Sequence, residues 1–155
     1  YITFGKKICS DIDTIITIRK ELATSSEKAL LVADEASALM LDLSYLEGND
    51  RNLESSIGMG NNIDNKITSI LGFIQVLERA VDSSHIQQTL DDMQYNITNI
   101  NADANYLNRL AETAENDGLV ASFNLQFTNL KTILSNDMGM YALHMKRLGL
   151  IEAIN

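Results

Sequence analysis

The side chains best suited to nucleophilic, redox or metal chemistry are scarce in this sequence of 155 residues, which has one cysteine, Cys9, and two histidines, His85 and His144. No serine stands in a nucleophile elbow, and no phosphate-binding glycine loop is present. A di-iron bundle needs Glu-x-x-His on two helices, whereas this chain has one Asp-x-x-His, at 82–85. A single cysteine also excludes an internal disulfide and Cys-x-x-Cys-His haem attachment. We therefore expect no catalytic residue, no metal site and no cofactor.

His144 lies beside the apolar positions of the last predicted helix, close in sequence to Met138, Met140 and Met145. One interpretation makes it a haem or metal ligand. The other, which we favour, is a partly buried imidazole that is hydrogen-bonded to a neighbouring group, with the methionines filling gaps in the packing.

Arg19 is a candidate binding residue because the helical spacing places it on the core-facing side, between Ile15 and Leu22. A guanidinium at such a position needs a carboxylate, a carbonyl or a bound anion. One interpretation makes Arg19 an anion-recognition residue at a bundle or dimer interface. The other, favoured by the 21 acidic residues of the chain, has it extend to solvent or pair with an acidic residue of a neighbouring helix.

Composition excludes several classes of protein. A net charge of −9 argues against binding to nucleic acid or to an anionic membrane surface. The chain has no proline and only eight glycines, which disfavours an all-β fold. It has neither a signal peptide nor an apolar run of about 18 residues, so we expect any membrane anchor to lie outside it.

The elements that must position these side chains follow from apolar residues at alternating steps of four and three, which line one face of a helix. The spacing predicts helices at about 8–47, 51–81, 85–115 and 119–153. The core-facing positions of the first helix are Ile8, Ile12, Ile15, Arg19, Leu22, Ser26, Ala29, Ala33, Ala36, Met40 and Leu43. Those of the second are Leu53, Ile57, Gly60, Ile63, Ile67, Ile70, Ile74, Leu77 and Val81. Those of the third are Ile86, Leu90, Met93, Ile97, Ile100, Ala104, Leu107, Ala111 and Ala114. Those of the fourth are Phe123, Phe127, Leu130, Leu134, Tyr141, Met145, Leu148 and Ile151.

Local signals refine the boundaries of these helices. Ser84 and Gln87 form a predicted capping box for the third helix, and Gly48 suits the end of the first. Thr24 with Glu27 is a second possible capping box that would divide the first helix, but the apolar positions keep phase there and favour one helix. Residues 116–118 (Asn-Asp-Gly) are predicted to form the last turn.

Short connections force neighbouring helices to run antiparallel. We therefore predict a single all-α domain over 1–155, an up-down-up-down four-helix bundle with both chain ends at one end. The loops at 47–52 and 116–118 then share the far tip, which is predominantly acidic. This tip is either a solvated cap or a surface that binds another protein, and its candidate binding residues are Glu47, Asp50, Arg51, Asn52, Asn116 and Asp117.

Asparagine is frequent, with 15 residues, although it is a mediocre helix former. Several of those on the third helix would flank its core-facing positions; these residues are Asn96, Asn99, Asn101, Asn105 and Asn108. They either hydrogen-bond across helices or reflect a compositional habit of the organism.

The stretches 18–22 (Ile-Arg-Lys-Glu-Leu) and 31–36 (Leu-Val-Ala-Asp-Glu-Ala), with the apolar rhythm of 67–108, resemble the helical sensor region of trimethylamine N-oxide sensor kinases. Similar long bundles occur in the extracytoplasmic regions of other bacterial sensor histidine kinases and of chemoreceptors. The resemblance implies a periplasmic, non-enzymatic sensor domain of an inner-membrane protein, and we expect a homodimer formed through the first or the last helix. A small polar ligand or a periplasmic binding protein would shift the terminal helices. The alternative is a soluble helical adaptor or coiled-coil assembly protein.

Overall fold

The computed structural model describes residues 2–46, 51–80, 82–110, 114–135 and 139–154. All regular secondary structure in these ranges is helical, which confirms the all-α fold class. The five helices of these ranges are α1 (Ile2–Ser44), α2 (Arg51–Arg79), α3 (Ser83–Leu110), α4 (Ala114–Ser135) and α5 (Met140–Ile154).

Helix α1 is continuous through the possible break near Thr24, as predicted. The Thr24 hydroxyl donates a hydrogen bond to the carbonyl of Lys20, 3.2 Å away, which is an ordinary bond inside a helix rather than a cap. The helix begins at Ile2 instead of residue 8 and ends at Ser44. The predicted helix end near Glu47 and Gly48 lies outside the described residues.

The buried face of α1 matches the prediction from Leu22 to Leu43 but not before it. Ile18 is 3% exposed, whereas Arg19 is exposed and Ile12 is 45% exposed. The prediction that Arg19 faces the core is therefore wrong. The buried position before Leu22 is Ile18, four residues earlier, and not Arg19, three residues earlier. Alternating steps of three and four average 3.5 residues, whereas a helix has 3.6 residues per turn, so over a long helix the predicted positions drift off the buried face.

Helix α3 begins one residue earlier than its predicted cap. The carbonyl of Asp82 accepts a 3.0 Å hydrogen bond from the amide of Ile86, so Ser84 lies inside the helix and the predicted capping box is wrong. The predicted core-facing positions of α3 from Ile86 to Leu107 are all buried. In α2, Ser56 is buried and the predicted Ile57 is half-buried.

The predicted fourth helix is two helices, α4 and α5. The chain around the division is Asn136, Asp137, Met138 and Gly139, and three of these four residues are poor helix formers. The Gly139 carbonyl accepts a 3.0 Å hydrogen bond from the amide of Leu143, which starts α5. The predicted turn at 116–118 is also wrong, since these residues belong to α4.

The phase of α5 differs from the prediction as well. Met145, predicted to face the core, is 47% exposed, and Tyr141 is half-buried. The buried side chains are Met140, Leu143, His144, Arg147 and Leu148. Because the apolar residues of α5 are spread around the helix and do not form one face, spacing alone could not choose its buried face.

Buried apolar side chains from all five helices form one hydrophobic cluster. Helix α1 packs against α2, α4 and α5, and α3 packs against the same three helices. Polar pairs link the helices at the edges of this core: Ser37 donates to Asp64 between α1 and α2, and Lys66 forms a salt bridge with Asp103 between α2 and α3.

Two asparagines of α3 hydrogen-bond across to α4, as one of the two sequence interpretations requires. Asn124 Nδ2 donates to Asn108 Oδ1 at 2.6 Å, and Lys131 Nζ donates to Asn101 Oδ1 at 3.1 Å. These bonds fix the axial register of α4 on α3, since each ties one side chain of α3 to one of α4.

Two glycines of α2 give a matched test of helix packing. A Cβ atom at Gly60 would lie 3.1 Å from Leu43 Cδ2 of α1, whereas Gly58 has no such neighbour within 4 Å. We expect Gly58→Ala to raise the free energy of unfolding by about 0.5–1 kcal/mol, because alanine is the better helix former. Gly60→Ala should raise the free energy of unfolding by less, because the new methyl group must displace the side chain of the buried Leu43. Urea denaturation measures both, and equal gains would contradict the close approach of α1 and α2.

Candidate ligand-binding cleft

A half-open cleft of about 460 Å³ lies where α1, the end of α2 and α5 meet. This volume is within the range of cavities that hold small ligands. Its lining combines apolar side chains with an unusual concentration of arginine. The lining residues are Arg19, Leu22, Ala23 and Ser26 from α1, Leu77, Glu78 and Arg79 from α2, and His144 and Arg147 from α5.

Arg147 is the most unusual residue of the cleft, because its charged side chain is only 3% exposed. Its Nη2 donates a 2.7 Å hydrogen bond to the carbonyl of Ala80, the first residue after α2. The C-terminal end of a helix carries a partial negative charge, so this contact stabilises the buried cation in part. The Nε–H group has no hydrogen-bond partner.

The charge of Arg147 is not neutralised by a carboxylate within the part of the chain that the structure describes. Burial lowers the pKa of Arg147, and the positive charge of nearby Arg19 lowers it further. A guanidinium nevertheless keeps its proton in proteins. The cleft therefore contains a buried positive charge with unused hydrogen-bond donors.

Three of the five arginines of the chain line this one cleft, although the protein carries a net charge of −9. Arg19 and Arg79 are exposed, and among the described residues of the lining Glu78, which is also exposed, is the one acidic side chain. Like charges held close together repel one another, and the repulsion is relieved when an anion binds between them.

Arg19 thus combines parts of both sequence interpretations. It extends to solvent, as the second of them expected, but within the described ranges it forms no salt bridge with an acidic side chain. It lies instead beside the other cationic groups of the cleft, which is the setting that anion recognition requires.

His144 and Ser26 add two buried polar groups to the same cleft. His144 is 2% exposed and its Nδ1 has no hydrogen-bond partner, so the bond expected from the sequence is not made at this atom. Burial lowers the pKa of His144 to about 4, with a smaller contribution from Arg147, so the imidazole is neutral at pH 7. Ser26 is also buried, and its hydroxyl has no partner. Unlike the Thr24 hydroxyl, it makes no hydrogen bond to the preceding helical turn.

The other predicted binding residues belong to the predicted acidic tip. Arg51 and Asn52 lie in the first turn of α2, and Asn116 and Asp117 lie near the start of α4. Glu47 and Asp50, and the side chains of the other four, lie outside the described residues. The tip remains a prediction, and Arg19 is the predicted site residue that the structure places in a cleft.

Sequence reasoning missed Arg79, Arg147 and the role of Ser26. Arg147 follows His144 by three residues, a spacing that puts both on one face of a helix, and this is the available signal. This spacing does not identify Arg147 from the sequence alone, because the predicted phase of the last helix places the wrong residues on the buried face. The contribution of Arg79 depends on where α2 ends relative to α5, which spacing does not reveal.

Fold and cleft together define an all-α protein with a cationic cleft between helices. No family model matches the chain, and neither a characterised protein nor a solved structure resembles it at a significant level. None of the helices, over the residues that the structure describes, is apolar enough for long enough to span a membrane. What the chain does must therefore be inferred from the cleft itself.

The buried His144 gives a pH-dependent stability with a definite sign. The folded protein binds fewer protons than the unfolded chain between the ordinary histidine pKa near 6.5 and the folded value of about 4. Stability should therefore be lost as the pH falls through this window, by about 3 kcal/mol for a shift of this size. His144→Gln, which cannot titrate, should show a correspondingly flatter dependence in chemical denaturation. His85→Gln is the matched control at an exposed histidine, and identical pH dependence in both variants would contradict the burial of His144.

Proposed function

We propose that this chain is the non-catalytic sensing domain of a membrane-bound bacterial receptor, either a two-component sensor histidine kinase or a chemoreceptor, and that it lies in the periplasm. The resemblance of α1 to sensor regions motivates the class of protein. The observation that carries the proposal is that one cleft is lined by both α1 and α5, the helices that contain residues 2 and 154. A ligand in this cleft contacts both terminal helices at once.

The helices form an antiparallel up-down-up-down bundle in this proposal, with α4 and α5 together making the fourth rod. The bonds between α3 and α4 support it, since Asn101 pairs with Lys131 and Asn108, seven residues later, pairs with Asn124, seven residues earlier. The pairs between α1 and α2 follow the same rule: Ser37 contacts Asp64, and Leu43 lies nearest Gly60.

A ligand can transmit a signal through this domain only if it binds one packing of the helices more tightly than another. Helix α5 has only 15 residues and packs directly against α1, so a change in the packing of these two helices is the displacement that this proposal requires. A ligand that bridges Arg19 of α1 and Arg147 of α5 favours the packing that holds these residues together. In the receptor, segments flanking this domain would cross the membrane and carry the displacement to the output module.

The exposed apolar side chains of α1 favour self-association. Phe4, Ile12 and Ile16 are 69%, 45% and 47% exposed, and with the half-buried Ile8 they follow a four-residue spacing along the helix. In the receptor this row forms the homodimer contact. The same row is the observation that favours the second candidate function, a soluble adaptor or assembly protein held together by helix contacts.

Cys9 distinguishes the two candidates, because it is exposed and is the one cysteine of the chain. With the full gene product expressed in bacteria, a membrane-impermeant maleimide should label Cys9 in intact cells whose outer membrane has been permeabilised. The extent of labelling at Cys9 should equal that in lysed cells. Cys9→Ser identifies the signal from this position, and a cytoplasmic thiol protein reports on cell integrity. Labelling of Cys9 only after lysis would contradict a periplasmic domain and favour the adaptor.

A further inference from the structure

We propose that the cleft between α1, α2 and α5 binds a small organic anion, and that a carboxylate of this ligand contacts Arg147 and Arg19. This inference rests on the proposed function in one respect, since it names the class of ligand that the sensing domain would detect. Its evidence comes from the cleft alone.

A buried charge in the cleft is incompletely paired. Buried cations in proteins are normally paired with an anion, because removing a charge from water is costly. Arg147 is only 3% exposed, has one hydrogen bond to a neutral carbonyl and leaves Nε unpaired. A carboxylate provides the missing charge, and its two oxygens match the planar fork of a guanidinium.

Further hydrogen-bond donors converge on the same space. Arg19 and Arg79 come from two other helices, so an anion here meets positive charge from three directions. Ser26 also lines the cleft, and its buried hydroxyl has no hydrogen-bond partner within the protein. A cationic ligand would be repelled by the same groups, and Glu78, the one acidic residue among the described lining residues, is exposed.

The apolar part of the lining distinguishes an organic anion from an inorganic one. Leu22, Ala23 and Leu77 form this part of the wall and offer no side-chain hydrogen bond to a ligand. A cleft of about 460 Å³ is large for a single sulfate or phosphate ion but suits an acid with a short carbon skeleton. The apolar wall then contacts the skeleton while the arginines bind the acid group.

Isothermal titration calorimetry with succinate, acetate, inorganic phosphate and neutral succinamide tests the proposal on the whole chain. Succinate or acetate should bind, and binding should raise the melting temperature. Succinamide has the size of succinate without its charge and should not bind. Arg19→Gln should weaken carboxylate binding about tenfold or more, because it removes a charged hydrogen-bond donor.

Three controls separate binding from folding. Arg19 is exposed and its charge repels that of Arg147, so Arg19→Gln should not lower the melting temperature of the ligand-free protein. Arg109→Gln removes an exposed arginine of α3 that does not line the cleft, and its affinity should equal that of the unchanged chain. Arg147→Lys keeps the charge but loses the planar fork, and it should also bind more weakly.

Each contrary result has a definite meaning. If succinamide binds as well as succinate, the ligand need not be an anion. If phosphate binds more tightly than either carboxylate, the ligand is not an organic anion. If Arg109→Gln weakens binding as much as Arg19→Gln does, the cleft is not the binding site. Absence of binding by every anion also overturns the proposal. Whether the chain is a periplasmic sensing domain is decided independently by the labelling of Cys9, which needs no ligand.

Discussion

The hydrogen bond from Arg147 to the carbonyl of Ala80 is the interaction on which the shape of the cleft depends. It joins a short helix, α5, to the end of a long one, α2, and it brings a full positive charge into the protein interior. The partial negative charge at the end of α2 offsets part of the cost. Arg147 thereby lines the same cleft as Arg19, Ser26 and His144.

The core supplies the rigid frame for this site. Between Ala29 and Leu43 the buried residues of α1 are mainly alanines, which allow neighbouring helices to approach closely, as Gly60 of α2 does near Leu43. Isoleucines of α2 and α3 fill the space across from them, and the polar pairs at the edges fix the register of the helices. At the cleft end the packing is different, since buried polar and charged side chains replace apolar ones.

The core could be predicted from the sequence much better than the cleft end. The buried apolar face of α3 from Ile86 to Leu107 is predictable because its apolar positions repeat without interruption, whereas the ends of the helix are not. Helix α5 is not predictable in this way, because its apolar residues do not form one face and its burial is decided by contacts with its neighbours, α1 among them. The spacing of apolar residues draws attention to Arg19 because it predicts a core-facing position there. Arg19 does line the cleft, but its side chain is exposed and does not face the core. Arg147, the centre of the site, is recognisable only once α2 and α5 are brought together in three dimensions.

An anion in the cleft should link α1 to α5 and thereby change their relative position. Spin labels on Cys9 and on a cysteine introduced by Glu152→Cys, both at exposed positions, report the distance between these helices. A control pair, Ala38→Cys with Asn61→Cys in a Cys9→Ser background, reports on α1 and α2 away from the cleft, again at exposed positions. Pulsed electron paramagnetic resonance should show that saturating succinate shifts the distance distribution of the first pair and leaves that of the control unchanged. Binding of succinate with no change in the first pair would contradict this coupling.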